Sequence, residues 1–170
     1  SITPFMEHEW KGFKSVKKSD MMKKVETCVT KKELDKVSES LFELNDPDQY
    51  LRKVSKLMSD RMNMYFKEDR IDWAIAETLA YGTVLNQGYN VRISGQDVER
   101  GTFSHRHAIL KKEKSEEEYI PLNNISKDQG SFEIYNSSLS EYGVVGYEYG
   151  YELASPQTLI RWEAQFGDCS

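Results

Sequence analysis

Polar and titratable residues are concentrated in one stretch of the chain, directly after a short segment at 91–94 that alternates apolar and polar residues. The stretch contains an amide, a carboxylate and two imidazoles, groups that bind ligands or exchange protons: Gln96, Asp97, His105 and His107. Because an alternating segment is typical of a β-strand, these groups occupy the loop at the strand's carboxyl end. The pattern predicts a binding or catalytic site in this loop.

Three other roles of this loop can be considered: a metal site, a nucleophile and a structural salt bridge. His105 and His107 are two positions apart and would point in different directions on a helix, so a shared metal ion is not expected. Ser104 is adjacent to His105 only in sequence, which does not make it an activated nucleophile. Asp97 and Arg100 are equally compatible with a local salt bridge that stiffens the loop.

A second group of polar residues precedes a glycine-rich segment. Three glycines there are three and four positions apart and would share one helical face, which is tolerated where another backbone or a ligand approaches closely: Gly143, Gly146 and Gly150. Glu141, at the start of this predicted helix, is compatible with two roles. It could complete a capping box with Ser138, or desolvation could keep its carboxyl available for proton exchange.

The amino-terminal part, residues 1–68, is rich in Lys, Glu, Met and Asp. A capping box begins at Thr30, and apolar residues then recur three and four positions apart, which predicts an amphipathic helix to Leu44. Asn45-Asp46-Pro47 ends that helix, and a second amphipathic helix begins close to Pro47. We therefore expect a helical extension that precedes the domain carrying the site.

From residue 69 onward, glycine, β-branched and aromatic residues replace the lysine-rich pattern, which predicts a domain boundary and a second domain at 69–170. Helices and strands alternate in this part: a helix from about 71 that ends at Gly88, strands at 91–94, 132–135 and 159–162, and helices at 102–110 and 140–153. This order predicts an α/β fold, with a mostly parallel sheet flanked by helices and a helical amino-terminal extension. Ligands of such sheets bind at the carboxyl ends of the strands.

Composition restricts the class of partner. The net charge of −5 over 170 residues provides no positive surface for nucleic acid or an anionic membrane. The two cysteines, Cys28 and Cys169, are far apart and have no metal-ligand spacing, so neither a disulfide framework nor a metal site is expected. No apolar run near the amino end is long enough for a signal peptide or a membrane span, which favours a soluble protein.

Several segments together resemble one enzyme family. They are Ser94 to His107, Tyr135 to Glu141, Ala154-Ser155-Pro156, and Trp162 to Asp168. In this order they are similar to long blocks of the first, decarboxylating component of the 2-oxoglutarate dehydrogenase complex, a thiamine-diphosphate enzyme. The resemblance is strong over about residues 70–168 and loose before them.

The resemblance implies an oxidoreductase of the tricarboxylic acid cycle that decarboxylates 2-oxoglutarate and passes the succinyl group to a lipoyl-bearing succinyltransferase. It also implies a homodimer with active sites between subunits, in which this domain holds the aminopyrimidine of thiamine diphosphate. The resemblance implies that the magnesium ion and pyrophosphate are held by a different domain, which in this family precedes the present segment. The chain has no Gly-Asp-Gly followed by Asn, the usual signature of that magnesium site. We therefore expect an excised fragment that is inactive alone.

The resemblance also implies roles for individual residues. Glu141 matches the catalytic glutamate that exchanges a proton with a pyrimidine ring nitrogen. Gln96 matches a glutamine placed against the cofactor, Leu139 would contact the pyrimidine, and Phe166 matches the aromatic residue on which that ring stacks. Asp97, His105 and His107 lie in the matching active-site loop without an assigned role.

Two alternatives stay open. The same chemistry could act on 2-oxoadipate, or the chain could be a noncatalytic interaction module whose lysine-rich helices bind a partner. The resemblance implies a cytoplasmic location in a bacterium and the mitochondrial matrix in a eukaryote.

Overall fold

A computed structural model describes residues 6–165 of the chain. Its amino-terminal part forms two helices, α1 (Lys31–Phe42) and α2 (Arg52–Phe66). The side chain of Thr30 caps α1 by accepting a hydrogen bond from the amide of Glu33 at 3.2 Å. The helical extension and its capping residue are therefore as the sequence predicts.

The link between α1 and α2 is longer than expected. Pro47–Gln49 forms a 3-10 turn, so the second helix begins at Arg52 and not close to Pro47. The hydroxyl of Ser55 donates a hydrogen bond to the Pro47 carbonyl at 2.6 Å and ties this turn to α2. Pro47 is the first residue of this turn, a position that its fixed φ favours.

The third helix, α3 (Trp73–Asn86), leads into the sheet. The carboxylate of Asp72 caps it by accepting a hydrogen bond from the Ile75 amide at 2.8 Å. The helix predicted from about residue 71 begins at Trp73, and Ile71 precedes it and is exposed. Gly88 follows the helix with a φ of +90°, the left-handed conformation predicted for its end.

Within residues 6–165, three parallel strands form the main sheet, and a short antiparallel pair lies outside it. The strands and the last helix are β1 (Asn90–Gly95), β2 (Leu110–Lys111), β3 (Glu118–Tyr119), β4 (Phe132–Asn136), α4 (Glu141–Ala154) and β5 (Thr158–Glu163). In the sheet β1 lies between β4 and β5, and β2 pairs with β3. The predicted mostly parallel sheet with flanking helices is confirmed.

The helix predicted at 102–110 is wrong. The chain from 96 to 109 is an irregular loop in which Gly101, Ser104 and His107 have φ values of +79°, +53° and +49°. Such values cannot propagate a right-handed helix. The Ala108 amide instead donates to the Glu99 carbonyl at 2.8 Å, which folds the loop back on itself.

One hydrophobic core joins the helical extension to the sheet. It includes Val37 of α1, Met58 of α2 and Ile75 of α3, with Val91 and Ile93 of β1 fully buried. The extension therefore packs against the part that follows it. Among the described residues no helix has the length and apolar character needed to cross a membrane.

Candidate functional site

An open cleft of about 550 Å³ lies between the carboxyl ends of β1 and β5 and the amino end of α4. Its lining residues are Gln96, Ser140, Glu141, Tyr142, Val145 and Trp162. Gln96 follows β1 directly, and Glu141 is the first residue of α4. The structure thus brings together two of the residues that the sequence predicts for a site.

The strands approach each other closely at this cleft. Gly95 pairs with Glu163 of β5 and has a φ of +155°. A Cβ at position 95 would lie 2.5 Å from the Glu163 carbonyl oxygen and 2.7 Å from Cγ1 of Val98. Glycine at this position therefore allows Gln96 and Trp162 to line the same cleft.

The start of α4 is fixed by a serine, but not by the one predicted. Ser140 caps the helix by accepting a hydrogen bond from the Gly143 amide at 3.3 Å. The capping box between Ser138 and Glu141 is therefore wrong, because Glu141 is already inside the helix. Its half-buried carboxyl lies in the first turn, where the helix dipole favours negative charge.

The glycines of α4 have open space beside them. A Cβ at Gly146 or Gly150 would meet nothing within 4 Å, and one at Gly143 would meet only Ser140 and Leu139. The close neighbour predicted for this glycine-rich face is therefore not found within residues 6–165. Large apolar side chains of the helix are also exposed there, namely Tyr142, Val145, Tyr147 and Tyr149.

The loop after β1 is stiffened by local contacts. Asp97 and Arg100 form the local salt bridge that the sequence left open, and Arg100 also donates to the Ser104 hydroxyl at 2.7 Å. At the other side of the loop, the Glu99 amide donates to the Asn136 side chain at 3.1 Å. These contacts hold the residues that follow Gln96 against the end of β4.

A buried arginine attaches the same loop to the rest of the domain. Arg106 is 4% exposed, donates to the Val98 carbonyl at 2.7 Å and forms ion pairs with Glu77 of α3 and Glu163 of β5. Burial alone would lower the pKa of Arg106, but the two carboxylates outweigh it and raise that pKa. The arginine stays charged and holds the loop, α3 and β5 together.

Neither histidine of the loop lines the cleft. The ring of His105 packs on Gly101, and its buried Nδ1 has no hydrogen-bond partner among the described residues. His107 lines a small cavity beside Arg61 and Leu41, on the helical side of the loop. Burial, followed by the charge of Arg61, lowers the pKa of His107, so its imidazole is neutral at pH 7.

Residues 69–170 match the model of the transketolase pyrimidine-binding domain, which is more than half of the chain. The chain belongs to this family. Its relatives include the mitochondrial 2-oxoglutarate dehydrogenase of Schizosaccharomyces pombe, 47% identical over 168 residues. The 2-oxoglutarate dehydrogenase E1 components of Brucella anthropi and Brucella canis are each 42% identical over 164 residues.

These alignments cover 96% of the chain but only 16% of each relative. The chain therefore spans about one sixth of the length of the relatives it matches. The helical extension is included in the aligned part, although the family model itself begins at residue 69.

The cleft of this pyrimidine-binding domain has the donor set that an aminopyrimidine requires. Glu141 supplies a carboxyl, Gln96 an amide that both donates and accepts, and Val145 and Trp162 apolar surface. The residues present therefore fit the pyrimidine end of thiamine diphosphate. Among residues 6–165 no three His, Cys, Asp or Glu side chains are grouped so that they could hold a metal ion.

The remaining predicted site residues are not among those that line the cleft. Leu139 precedes α4 and is 54% exposed beside the cleft, Asp97 is paired with Arg100, and Phe166 lies outside the described residues. Sequence reasoning missed Trp162 as a lining residue. Its place at the carboxyl end of a predicted strand was the signal, because ligands of parallel sheets bind there.

Proposed function

We propose that this chain supplies the half-site for the aminopyrimidine of thiamine diphosphate in a 2-oxoglutarate dehydrogenase. The parent enzyme decarboxylates 2-oxoglutarate and transfers the succinyl group to a lipoyl arm. One observation carries the proposal: Glu141 and Gln96, from separate elements, line one cleft of a pyrimidine-binding domain. The relatives named for 2-oxoglutarate dehydrogenase support the choice of substrate over 2-oxoadipate.

Thiamine diphosphate, when bound, supplies a thiazolium ring that acts as the electron sink for decarboxylation. Glu141, half-buried at the start of α4, would exchange a proton with a ring nitrogen of the aminopyrimidine. The Gln96 amide orients the cofactor through hydrogen bonds. Leu139, Trp162 and Phe166 supply apolar and aromatic contacts to the pyrimidine.

The rest of the active site belongs to other parts of the parent. A different domain holds the pyrophosphate and magnesium ion, and the enzyme is a homodimer whose sites lie between subunits. Its partner is the lipoyl-bearing succinyltransferase of the same complex. The parent is cytoplasmic in a bacterium and lies in the mitochondrial matrix in a eukaryote.

Single-turnover release of labelled carbon dioxide by the full-length parent tests this function. With thiamine diphosphate and magnesium present, Glu141→Ala should abolish release from 2-oxoglutarate, and 2-oxoadipate should be the poorer substrate. Glu152→Ala is the matched control, because Glu152 is an exposed glutamate of the same helix. Release near the parent rate by a folded Glu141→Ala variant would refute the role of Glu141.

A further inference from the structure

An ion pair in the interior connects the central strand to the helix that carries Glu141. Nε of Arg92 in β1 donates to Oε2 of Glu148 in α4 at 2.9 Å, and Nη2 donates to Oε1 at 3.1 Å. The two side chains are only 10% and 4% exposed. Because two nitrogens bind two oxygens, this contact fixes the direction of the Glu148 side chain as well as its distance.

The rest of α4 is held loosely by the described part of the chain. Only Val144 and Glu148 of its fourteen residues are buried. Its glycines at 146 and 150 lack side chains to pack and lower helix propensity. Glu148 is therefore a principal attachment of α4 to the sheet.

Glu148 and Glu141 are seven positions apart, which is about two helical turns and places both on the same face of α4. Arg92, in turn, lies on the strand that ends immediately before Gln96. The pair thus connects the strand that presents Gln96 to the helix that presents Glu141. Rotation of α4 about its axis would break the pair and turn Glu141 out of the cleft.

Aromatic rings surround the guanidinium and keep it oriented. The Arg92 carbon Cζ lies 4.7 Å from the ring centre of Tyr135 and 4.5 Å from that of Tyr151. Nη1 also donates to Glu133 of β4 at 2.7 Å, but that carboxylate is 36% exposed and belongs to the sheet. Glu148 is the carboxylate by which Arg92 acts on the helix.

We propose that Arg92 and Glu148 are positioning residues that set the rotation of α4 and so keep the Glu141 carboxyl opposite Gln96. This inference rests on the proposed function, because that function assigns to Glu141 the exchange of a proton with the aminopyrimidine. Neither Arg92 nor Glu148 lines the cleft, and each acts only through the residue that it orients.

Four variants of the full-length parent test this pair. Glu148→Gln removes the charge that binds Arg92, and Arg92→Lys keeps the charge but loses the two-nitrogen contact. Glu133→Gln is the matched control, since it removes a carboxylate that binds the same guanidinium from within the sheet. Glu141→Gln is the reference for complete loss of proton exchange.

Two measurements are made on each variant. The first is amide hydrogen exchange of a peptide covering residues 141–147 in the cofactor-free protein. The second is the rate at which the bound cofactor's acidic thiazolium proton exchanges for deuterium. Displacement by about 1 Å can cost roughly 100-fold in rate, so we expect a loss of that order in Glu148→Gln and a smaller loss in Arg92→Lys.

Faster amide exchange and slower deuterium exchange in Glu148→Gln and Arg92→Lys, with Glu133→Gln unchanged, support the inference. Unchanged deuterium exchange in Glu148→Gln, with Glu141→Gln inactive, overturns it and leaves the proposed function intact. Unchanged exchange in Glu141→Gln overturns both. If Glu148→Gln does not fold, Arg92→Lys decides by the same two measurements.

Discussion

Arg106 and Glu163 form an ion pair that attaches the loop after β1 to the last residue of β5. The same guanidinium binds Glu77 of α3 at 2.9 Å, so one buried cation neutralises two carboxylates from different elements. Burial raises the pKa of Glu77, but the hydrogen bonds from Arg106 and Tyr81 outweigh it and hold that pKa below its usual value. The site loop therefore depends on a charge that lies outside the cleft.

Removal of this cation should destabilise the protein. We expect Arg106→Met to lower the free energy of unfolding by about 3 kcal/mol, because Glu77 and Glu163 both lose their buried cation and Glu77 keeps only Tyr81 and the more exposed Arg161. Urea denaturation measures this change. Arg100→Met, which removes an exposed arginine of the same loop, should have no measurable effect. Equal midpoints for the two variants would contradict this view of Arg106.

The alternation of elements after residue 69 was predictable because it depends on local hydrophobic patterns. The strand β1 and the helix α4 both follow such patterns, and α4 connects β4 to β5, the two strands that lie parallel to β1 on either side of it. The loop at 96–109 was not predictable in this way. Ser104 and His107 adopt positive φ values that the surrounding fold imposes and that local propensity disfavours.

The contacts that position the site could also not be predicted from the sequence. Arg92 and Glu148 are distant in sequence and meet only when α4 packs on the sheet. The choice of Ser140 over Ser138 as the helix cap has a similar origin, since each serine has a suitable amide three positions later. Propensity permits both caps, and packing of the helix selects one.

The close packing of α1 against α3 at Gly82 gives a second prediction. A Cβ at Gly82 would lie 2.6 Å from Cγ1 of Val37 and 3.2 Å from Cδ1 of Leu41. We expect Gly82→Ala to destabilise the protein by about 1–2 kcal/mol, because overpacking outweighs the gain in helix propensity. Thermal and urea unfolding would measure it.

The double variant Gly82→Ala with Val37→Ala provides the control. Val37→Ala removes the methyl groups that the new Cβ would meet, so the double variant should lose less stability than the sum of the single variants. Simple additivity of the two losses would show that Gly82 is not required for close packing against Val37.

The partly buried imidazole of His107 gives a third prediction, about pH. Burial and the nearby charges of Arg61 and Arg100 lower the pKa of His107 from 6.5, so the folded state binds its proton less readily than the unfolded state. The resulting stabilisation is fully present above pH 6.5 and is lost as the pH falls through the lower folded-state pKa. The protein should therefore lose stability on acidification partly through this residue.

Replacement by asparagine isolates the contribution of His107, because asparagine tolerates the positive φ of +49° at this position. Between pH 7 and roughly pH 5, unfolding free energies of the unsubstituted protein should fall more steeply than those of His107→Asn. His8→Asn, at an exposed position, is the control. Parallel pH profiles for the protein and His107→Asn would show that protonation of His107 is not linked to folding.

The apolar part of the cleft gives the last prediction. Trp162 lines the cleft opposite Glu141, and the proposed function places the aminopyrimidine between them. We expect Trp162→Ala to raise the dissociation constant for thiamine diphosphate about 5-fold to 10-fold in the full-length parent, the scale of one aromatic contact. Trp162→Phe should keep most of the affinity, because it retains an aromatic surface. Trp73→Ala is the control, since Trp73 is 92% exposed. If Trp162→Ala and Trp73→Ala bind the cofactor equally well by calorimetry, the cofactor does not occupy the part of the cleft beside Trp162.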